Sequence, residues 1–196
     1  MSLPLAFGVT LDTIPWPGPY LGPDADREVL WRERLGPHTT RRIGIAWSGN
    51  PLHKNDRNRS LSLEDFLSGL PDGRALNAVE YHVLLNKVTD ADRALIATRP
   101  DIILHDDAIR SLSDTAALCA QLDGVASVDT SLAHLAGAMG LPVWILLPQP
   151  ADWRWMIDRG DSPWYPSATL VRQPSQGDWP GALARLRQAI EAFLAS

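Results

Sequence analysis

Among its 196 residues the chain has one cysteine, Cys119. A single thiol excludes an internal disulfide and any cysteine-built zinc site. Cys119 sits among Ala116, Ala117, Leu118 and Leu122, an apolar helical pattern, so it reads as core. A reducing, cytoplasmic setting fits. Long apolar runs are also missing. None reaches the ~18 residues that a membrane span needs, and the N-terminus lacks the basic start and apolar stretch of a signal peptide. Excess positive charge is absent too. A formal net charge of -5 and a pI of about 5.4 argue against nucleic acid as the main partner. Neither GxxxxGK(S/T) nor GxGxxG occurs, so the two commonest glycine-rich phosphate loops are lacking. No internal repeat or low-complexity tract is visible.

What is present is a globular composition, 45% hydrophobic and 21% charged, long enough for one domain plus an extension. Met1 to Pro23 carries Pro4, Pro15, Pro17, Pro19 and Pro23. That density argues against a helix or a central strand. Yet Leu3, Leu5, Phe7, Trp16 and Tyr20 are too apolar for a free linker, so an extended arm packed on a surface is expected. Asp24 to Leu35 reads as a helix. Residues 1–40 are thus an arm plus helix, and residues 41–196 the domain proper.

Arg42–Trp47, Tyr81–Leu85, Ile102–Leu104, Val125–Val128, Val143–Leu147 and Thr169–Val171 are short apolar runs of the kind that form buried parallel strands. Helical patterns separate them: a helix opened by Ser60–Asp65, then Thr89–Ala97, Ser113–Leu122 with Ser113 or Asp114 as cap, Ser131–Met139, and a final helix after Gly177-Asp178. Strands alternating with helices predict an α/β, Rossmann-like parallel sheet of about six strands with helices on both faces. Ligands bind beyond the carboxyl ends of such strands. That rule places Ser48-Asn50, Asn86-Lys87, His105-Asp107 and Asp129-Ser131 along one rim.

Two rim segments carry chemistry. Arg41 to Arg59 holds Arg41, Arg42, Lys54, Arg57 and Arg59 against Asp56 alone, a basic loop on an acidic protein. It suits a ligand with at least two negative charges. Gly49 lets backbone N–H groups come close to a phosphate, and arginines give bidentate contacts. The second segment is Asp129-Thr130-Ser131, with His134 one turn into the helix. A helix N-terminus favours an anion such as a diphosphate. The plainer readings are a solvated basic loop, a simple helix cap and a satisfied half-buried histidine. Of the eight tryptophans, Trp144, Trp153, Trp155, Trp164 and Trp179 fall in the last third, which predicts an aromatic surface or sub-core there.

The segments IGIAWSGNPLHKNDRNRSLSL, DTAALCAQLDGVASVDTSLAHLAGAMGLPVWILLP and DWRWMIDRGDSPWYPSATLVRQPSQGDW together resemble the C-terminal part of bacterial tetratricopeptide-linked glycosyltransferases. Those are related to the heptosyltransferase type (glycosyltransferase family 9) and more remotely to O-linked GlcNAc transferase. The likeness runs from about Leu3 to the C-terminus. It implies one half of a GT-B fold, the half that binds a nucleotide-diphosphate sugar for transfer to a hydroxyl of a glycan, lipid or protein acceptor. It implies donor-diphosphate contacts from Ser48, Gly49, Asn50 and a basic residue among Lys54, Arg57 and Arg59, and from Asp129, Thr130, Ser131 and His134. The loops at Asn86-Lys87 and Asp106-Ser113 are implied to face ribose and base. No cofactor and no metal are expected, because the helix dipole and an arginine can meet the leaving diphosphate. The acceptor and general base are implied to lie in an N-terminal domain that this chain lacks, with residues 1–35 resembling the tail of that half. Catalytic residues are therefore not assigned.

Two competing functions stand beside this. One is a non-catalytic nucleotide or nucleotide-sugar module, with Trp153 to Tyr165 docking a partner. The other is a flavodoxin-like regulatory domain, which the basic first loop argues against. The apolar arm also makes a homodimer an expectation.

Overall fold

The computed structural model describes residues 3–73 and 79–196. Six strands form one sheet: β1 (Arg41–Ala46), β2 (Val79–Val83), β3 (Ile102–Ile103), β4 (Gly124–Val128), β5 (Val143–Leu147) and β6 (Ala168–Arg172). Their order is β3-β2-β1-β4-β5-β6, and every neighbouring pair is parallel. This is the Rossmann strand order. The chain works outward from β1 to one edge, then returns to β4 and works outward to the other. Loops leaving β1 and β4 therefore diverge and leave a crevice between them. The register pairs Ala46 with Ser127. That pairing sets the β1 exit, Trp47 to Asn50, beside the β4 exit, Asp129 to Ser131.

Alternation along the strands divides the core in two. Ile43 and Ile45 of β1, Ala126 and Val128 of β4, and Trp144 and Leu146 of β5 face one side. Val125 of β4 and Val143, Ile145 and Leu147 of β5 face the other. The first side is covered by α4 (Leu63–Ser68) and the last helix, α8 (Trp179–Leu194), through Phe66, Leu183, Leu186 and Ile190. The second is covered by α2 (Ala25–Leu35), α6 (Leu112–Cys119) and α7 (Ser131–Ala138), through Trp31, Leu118, Ala133 and Ala136. Burying both faces is why the strands read as continuous apolar runs. Among the described residues there are also two short helices, α3 (Asp56–Arg59) in the loop after β1 and α5 (Asp90–Ile96) between β2 and β3.

Two local expectations need correction. A proline-dense start was expected to hold no helix, yet Leu3–Ala6 forms a single-turn helix, α1, and Leu11–Thr13 a 3-10 turn. Pro4 sits in the first turn of α1, where a missing N–H costs nothing. Met1 and Ser2 of the expected arm lie outside the described residues. The second correction concerns α6, whose cap is Ser111, not Ser113 or Asp114. Ser111 Oγ accepts from the Asp114 amide at 3.3 Å, and Asp114 takes hydrogen bonds from Ser111 Oγ at 2.8 Å and the Arg110 amide at 3.0 Å. Asp114 also pairs with Arg27 of α2. In the aromatic segment, Trp155 is fully buried and Tyr165 nearly so. Their rings join the second core, so the sub-core half of the expectation holds for these two, while Trp153 and Ile157 stay exposed.

The arm does pack on the domain, over part of its length. Tyr20 and Leu21 amides both donate to the Ala138 carbonyl, at 3.0 and 3.3 Å. Trp16 joins the second core. Leu3, Leu5 and Phe7 remain more than 70% exposed.

Candidate functional site

Two clefts open at the crevice between the β1 and β4 exits. The first, about 1010 Å³, runs over β1 and β2 and has an apolar wall of Leu84, Leu85, Val88, Ile109 and Leu112. Ser48, Gly49, Asn50, Asn86 and Lys87 border it. The second, about 710 Å³, runs over β4 and β5 and is lined by His53, Arg57, His134 and Arg154 against Asp129 and Asp152. Arg59, Thr130 and Ser131 line both clefts and form the ridge between them. An apolar slot and a polar one, lined by Arg57, Arg59 and Arg154 with Asp129 and Asp152, thus meet at the N-terminus of α7, and Arg154 pairs with Asp152 at 2.8 Å.

The ridge is built by Arg59. Its Nη1 donates to the Asp129 carbonyl at 2.6 Å, and its Nε contacts Asp56 Oδ1 at 3.3 Å. The side chain is only 12% exposed, so Arg59 ties the loop after β1 to the end of β4. Gly49 makes this possible. A Cβ there would stand 2.6 Å from Arg59 Nη2 and 2.9 Å from Asp56 Oδ1. The Gly49 amide donates to Ser60 Oγ at 3.0 Å, and Ser60 Oγ donates to Asp56 Oδ1 at 2.9 Å. The glycine expected to free an amide for phosphate instead spends that amide internally and makes room for a guanidinium.

At the second exit, Thr130 is the N-cap of α7, accepting from the Leu132 amide at 3.3 Å and touching Ser127 Oγ at 3.3 Å. Ser131 is exposed at the first helical position. His134 Nδ1 lies 3.0 Å from Tyr165 Oη, and its ring stacks on Trp155 at 5.0 Å. Its Nε2 lies 4.0 Å from Asp129 Oδ1. Burial, opposed by Asp129 and aided by Arg154, pushes His134 below its ordinary pKa. It is therefore neutral at pH 7 and meets a ligand as a hydrogen-bond donor, not as a cation.

Most residues expected at the site border these clefts, but Lys54, His105, Asp106, Asp107 and Ser113 do not. Lys54 is exposed and lines neither cleft. Asp106 pairs with Arg93 of α5. Ser113 points outward, and Ser111 and Thr115 border the apolar cleft in its place. Two residues are about half a helical turn, so a two-residue error in the cap moves the side chain to the opposite face, off the site. Arg154 and His53 were missed. The only signal for Arg154 was a cation inside a segment otherwise rich in Trp, Pro and Asp. Among the described residues, no group of three or more His, Cys, Asp or Glu could hold a metal ion, and no helix is long and apolar enough to cross a membrane.

No protein-family model matches the chain. The protein FlbA of Caulobacter vibrioides is 28% identical over 195 residues, which is 95% of this chain and 31% of FlbA. Three solved structures share its shape. ADP-heptose lipopolysaccharide heptosyltransferase II of E. coli superposes over 94% of this chain and 56% of its own, with a TM-score of 0.66 at 13% identity. A glycosyl transferase family 9 protein of Veillonella parvula covers 97% and 57%, with a TM-score of 0.58 at 13% identity. E. coli heptosyltransferase WaaC, solved with ADP, covers 94% and 52%, with a TM-score of 0.54 at 15% identity. The chain thus spans under a third of FlbA and little more than half of each solved relative. Its six-stranded parallel α/β sheet is a Rossmann-like fold shared with these solved glycosyltransferases.

Proposed function

We propose that this chain is the donor-binding half of a GT-B glycosyltransferase, holding a nucleotide-diphosphate sugar whose sugar passes to a hydroxyl acceptor. The observation that carries this reading is the meeting of an apolar and a polar, arginine-lined cleft at the α7 N-terminus. A nucleoside diphosphate has the same division: a flat, largely apolar base at one end and two phosphates at the other. The base and ribose fit the slot walled by Leu84, Leu85 and Ile109, with Asn86, Lys87 and Ser111 as polar partners. The diphosphate fits beside Ser131, Arg57, Arg154 and His134. ADP in the WaaC structure is consistent with a nucleotide in this fold.

In the reaction, the bond between the anomeric carbon and the diphosphate oxygen breaks, and the acceptor oxygen bonds to that carbon. Negative charge then grows on the leaving oxygen. The α7 dipole and the cationic groups of the second cleft stand ready to stabilise it without reorganising. The proton of the acceptor goes to a base supplied by a second domain. That assignment rests on the partial span against the solved glycosyltransferases.

Arg57 is the clean probe, since it is exposed where Arg59 is tied. Arg57→Ala is expected to weaken nucleoside-diphosphate binding about tenfold, equivalent to roughly 1.4 kcal/mol, with stability changed by less than about 0.5 kcal/mol. Arg59→Ala is expected to cost roughly 1.5–3 kcal/mol of stability as well, because it removes charge-assisted bonds. Calorimetric titration of both variants checks this. Unchanged affinity in Arg57→Ala contradicts the diphosphate reading of the polar cleft. Tight binding with no transfer, in the presence of acceptor and partner domain, favours a non-catalytic nucleotide module instead.

A further inference from the structure

His134 stands on a chain of contacts that begins far from the clefts. Tyr165 lies flat against α7 because residue 137 is glycine; a Cβ there would come within 2.5 Å of Tyr165 Cγ. Residue 137 is one turn beyond His134, on the same face of the helix. The Tyr165 hydroxyl reaches His134 Nδ1 at 3.0 Å. Behind Tyr165 stands the arm. Trp16 meets its ring edge-on, with centroids 6.4 Å apart and planes 88° apart, and Trp16 in turn meets Tyr20 at 5.9 Å. The arm is pinned by the Tyr20 and Leu21 amides on the Ala138 carbonyl and by Pro19 against Gly140.

We propose that Tyr165 is a positioning residue for His134: its hydroxyl fixes the imidazole with Nε2–H toward the polar cleft, and the arm segment 16–21 holds Tyr165 in place. The inference rests on the diphosphate reading of that cleft for its purpose, though not for its geometry. A neutral imidazole has one donor nitrogen and one acceptor nitrogen. The Asp129 carboxylate, 4.0 Å from Nε2, attracts an N–H there and repels a lone pair. The tautomer with Nε2–H is therefore favoured, and Nδ1 accepts the Tyr165 proton. Trp155 stacking at 5.0 Å fixes the ring plane. The groups facing the imidazole are Asp129 from the β4 exit, Asp152 and Arg154 from the aromatic segment, and Tyr165 backed by Tyr20. The same Nε2–H can turn from Asp129 to a phosphate oxygen when a ligand enters. An ordered arm is thereby coupled to the donor orientation in the cleft.

The test is nitrogen-detected NMR of the imidazoles in the full chain, with inorganic pyrophosphate as the anion probe in calorimetry. Wild type should show His134 as the Nε2–H tautomer. Tyr165→Phe keeps the ring and removes the bond to Nδ1. It should give mixed tautomers, a raised His134 pKa because the neutral form loses its donor, and pyrophosphate binding weakened severalfold at about pH 8. Trp16→Ala, which leaves Tyr165 and His134 intact, should shift the tautomer ratio in the same direction by less. An unchanged tautomer and titration in Tyr165→Phe overturns the positioning role, and an unchanged Trp16→Ala overturns the part of the arm. A tautomer shift with unchanged pyrophosphate affinity overturns the coupling to the cleft. Failure of wild type to bind pyrophosphate overturns the anion reading of the cleft, while the NMR comparison still decides the role of Tyr165.

Discussion

His82 of β2 and His105 after β3 are both almost fully buried, stacked 5.3 Å apart with planes 4° apart. One bond of 3.0 Å joins Nδ1 of His82 to Nε2 of His105. Burial, then the neighbouring His105 and Arg42, pushes His82 down to about 3. Burial, then Arg34, pushes His105 down to about 4. An unfolded imidazole titrates near 6.5, so between these values the unfolded chain binds more protons. Stability is then full above about pH 6.5 and is lost as pH falls toward the folded values. By about pH 5 the loss is on the order of 2 kcal/mol for each imidazole that stays neutral. Denaturant melts at about pH 7.5 and about pH 5 check the slope, and His105→Gln should flatten it. A wild-type slope no steeper than that of His105→Gln contradicts the assignment. At this scale the sequence was read well for type and poorly for role. Arg57 and Arg59 looked equivalent, two residues apart in one basic loop. Only the fold shows that Arg59 reaches Asp129 seventy positions away while Arg57 stays in solvent. Gly49 marks a close approach, but a glycine reports only that a Cβ is unwelcome, not which neighbour refuses it.

Elements were legible where one rule acts alone. Six apolar runs became six strands, because a strand buried on both faces is apolar at most of its positions. Ends slipped by a residue or two, as at β2, which runs Val79–Val83 and not Tyr81–Leu85. Helix starts depend on competing caps, and α6 shows how the competition is settled. Ser111, Ser113 and Asp114 can all cap, and Ser111 wins because Asp114 at the third position bonds back to it. Ser111→Ala should therefore cost about 1 kcal/mol and Ser113→Ala less than about 0.5 kcal/mol. Thermal or denaturant melts of the two variants distinguish them, and equal losses contradict the assigned cap. The stake is functional as well, since Ser111 borders the apolar cleft. The Pro-dense arm was legible as packed chain. Its partner was not, since nothing in Trp16 or Tyr20 names Tyr165 or Ala138.

At the scale of the molecule, strand order decides where chemistry gathers. Turning back from β3 to β4 sets two loop exits side by side, and the polar ends of β1, β2 and β4 border the clefts there without a recognisable phosphate motif, while that of β3 does not. This was the most legible part of the site, because it follows from alternation of strands and helices alone. The pairing of an apolar with a polar cleft was not legible, since it depends on Arg154 and Ile109 arriving from distant loops. The central claim is that this pair of clefts holds a nucleoside diphosphate. Thermal unfolding with UDP, GDP, ADP, CMP and their sugar conjugates tests it most directly. A ligand at 100 times its dissociation constant stabilises by about 2.7 kcal/mol, a midpoint rise on the order of 5 to 10 °C for a chain of this length. The account predicts such a rise for one diphosphate and its sugar conjugate, reduced in Arg57→Ala. No rise with any diphosphate at saturating concentration would contradict it.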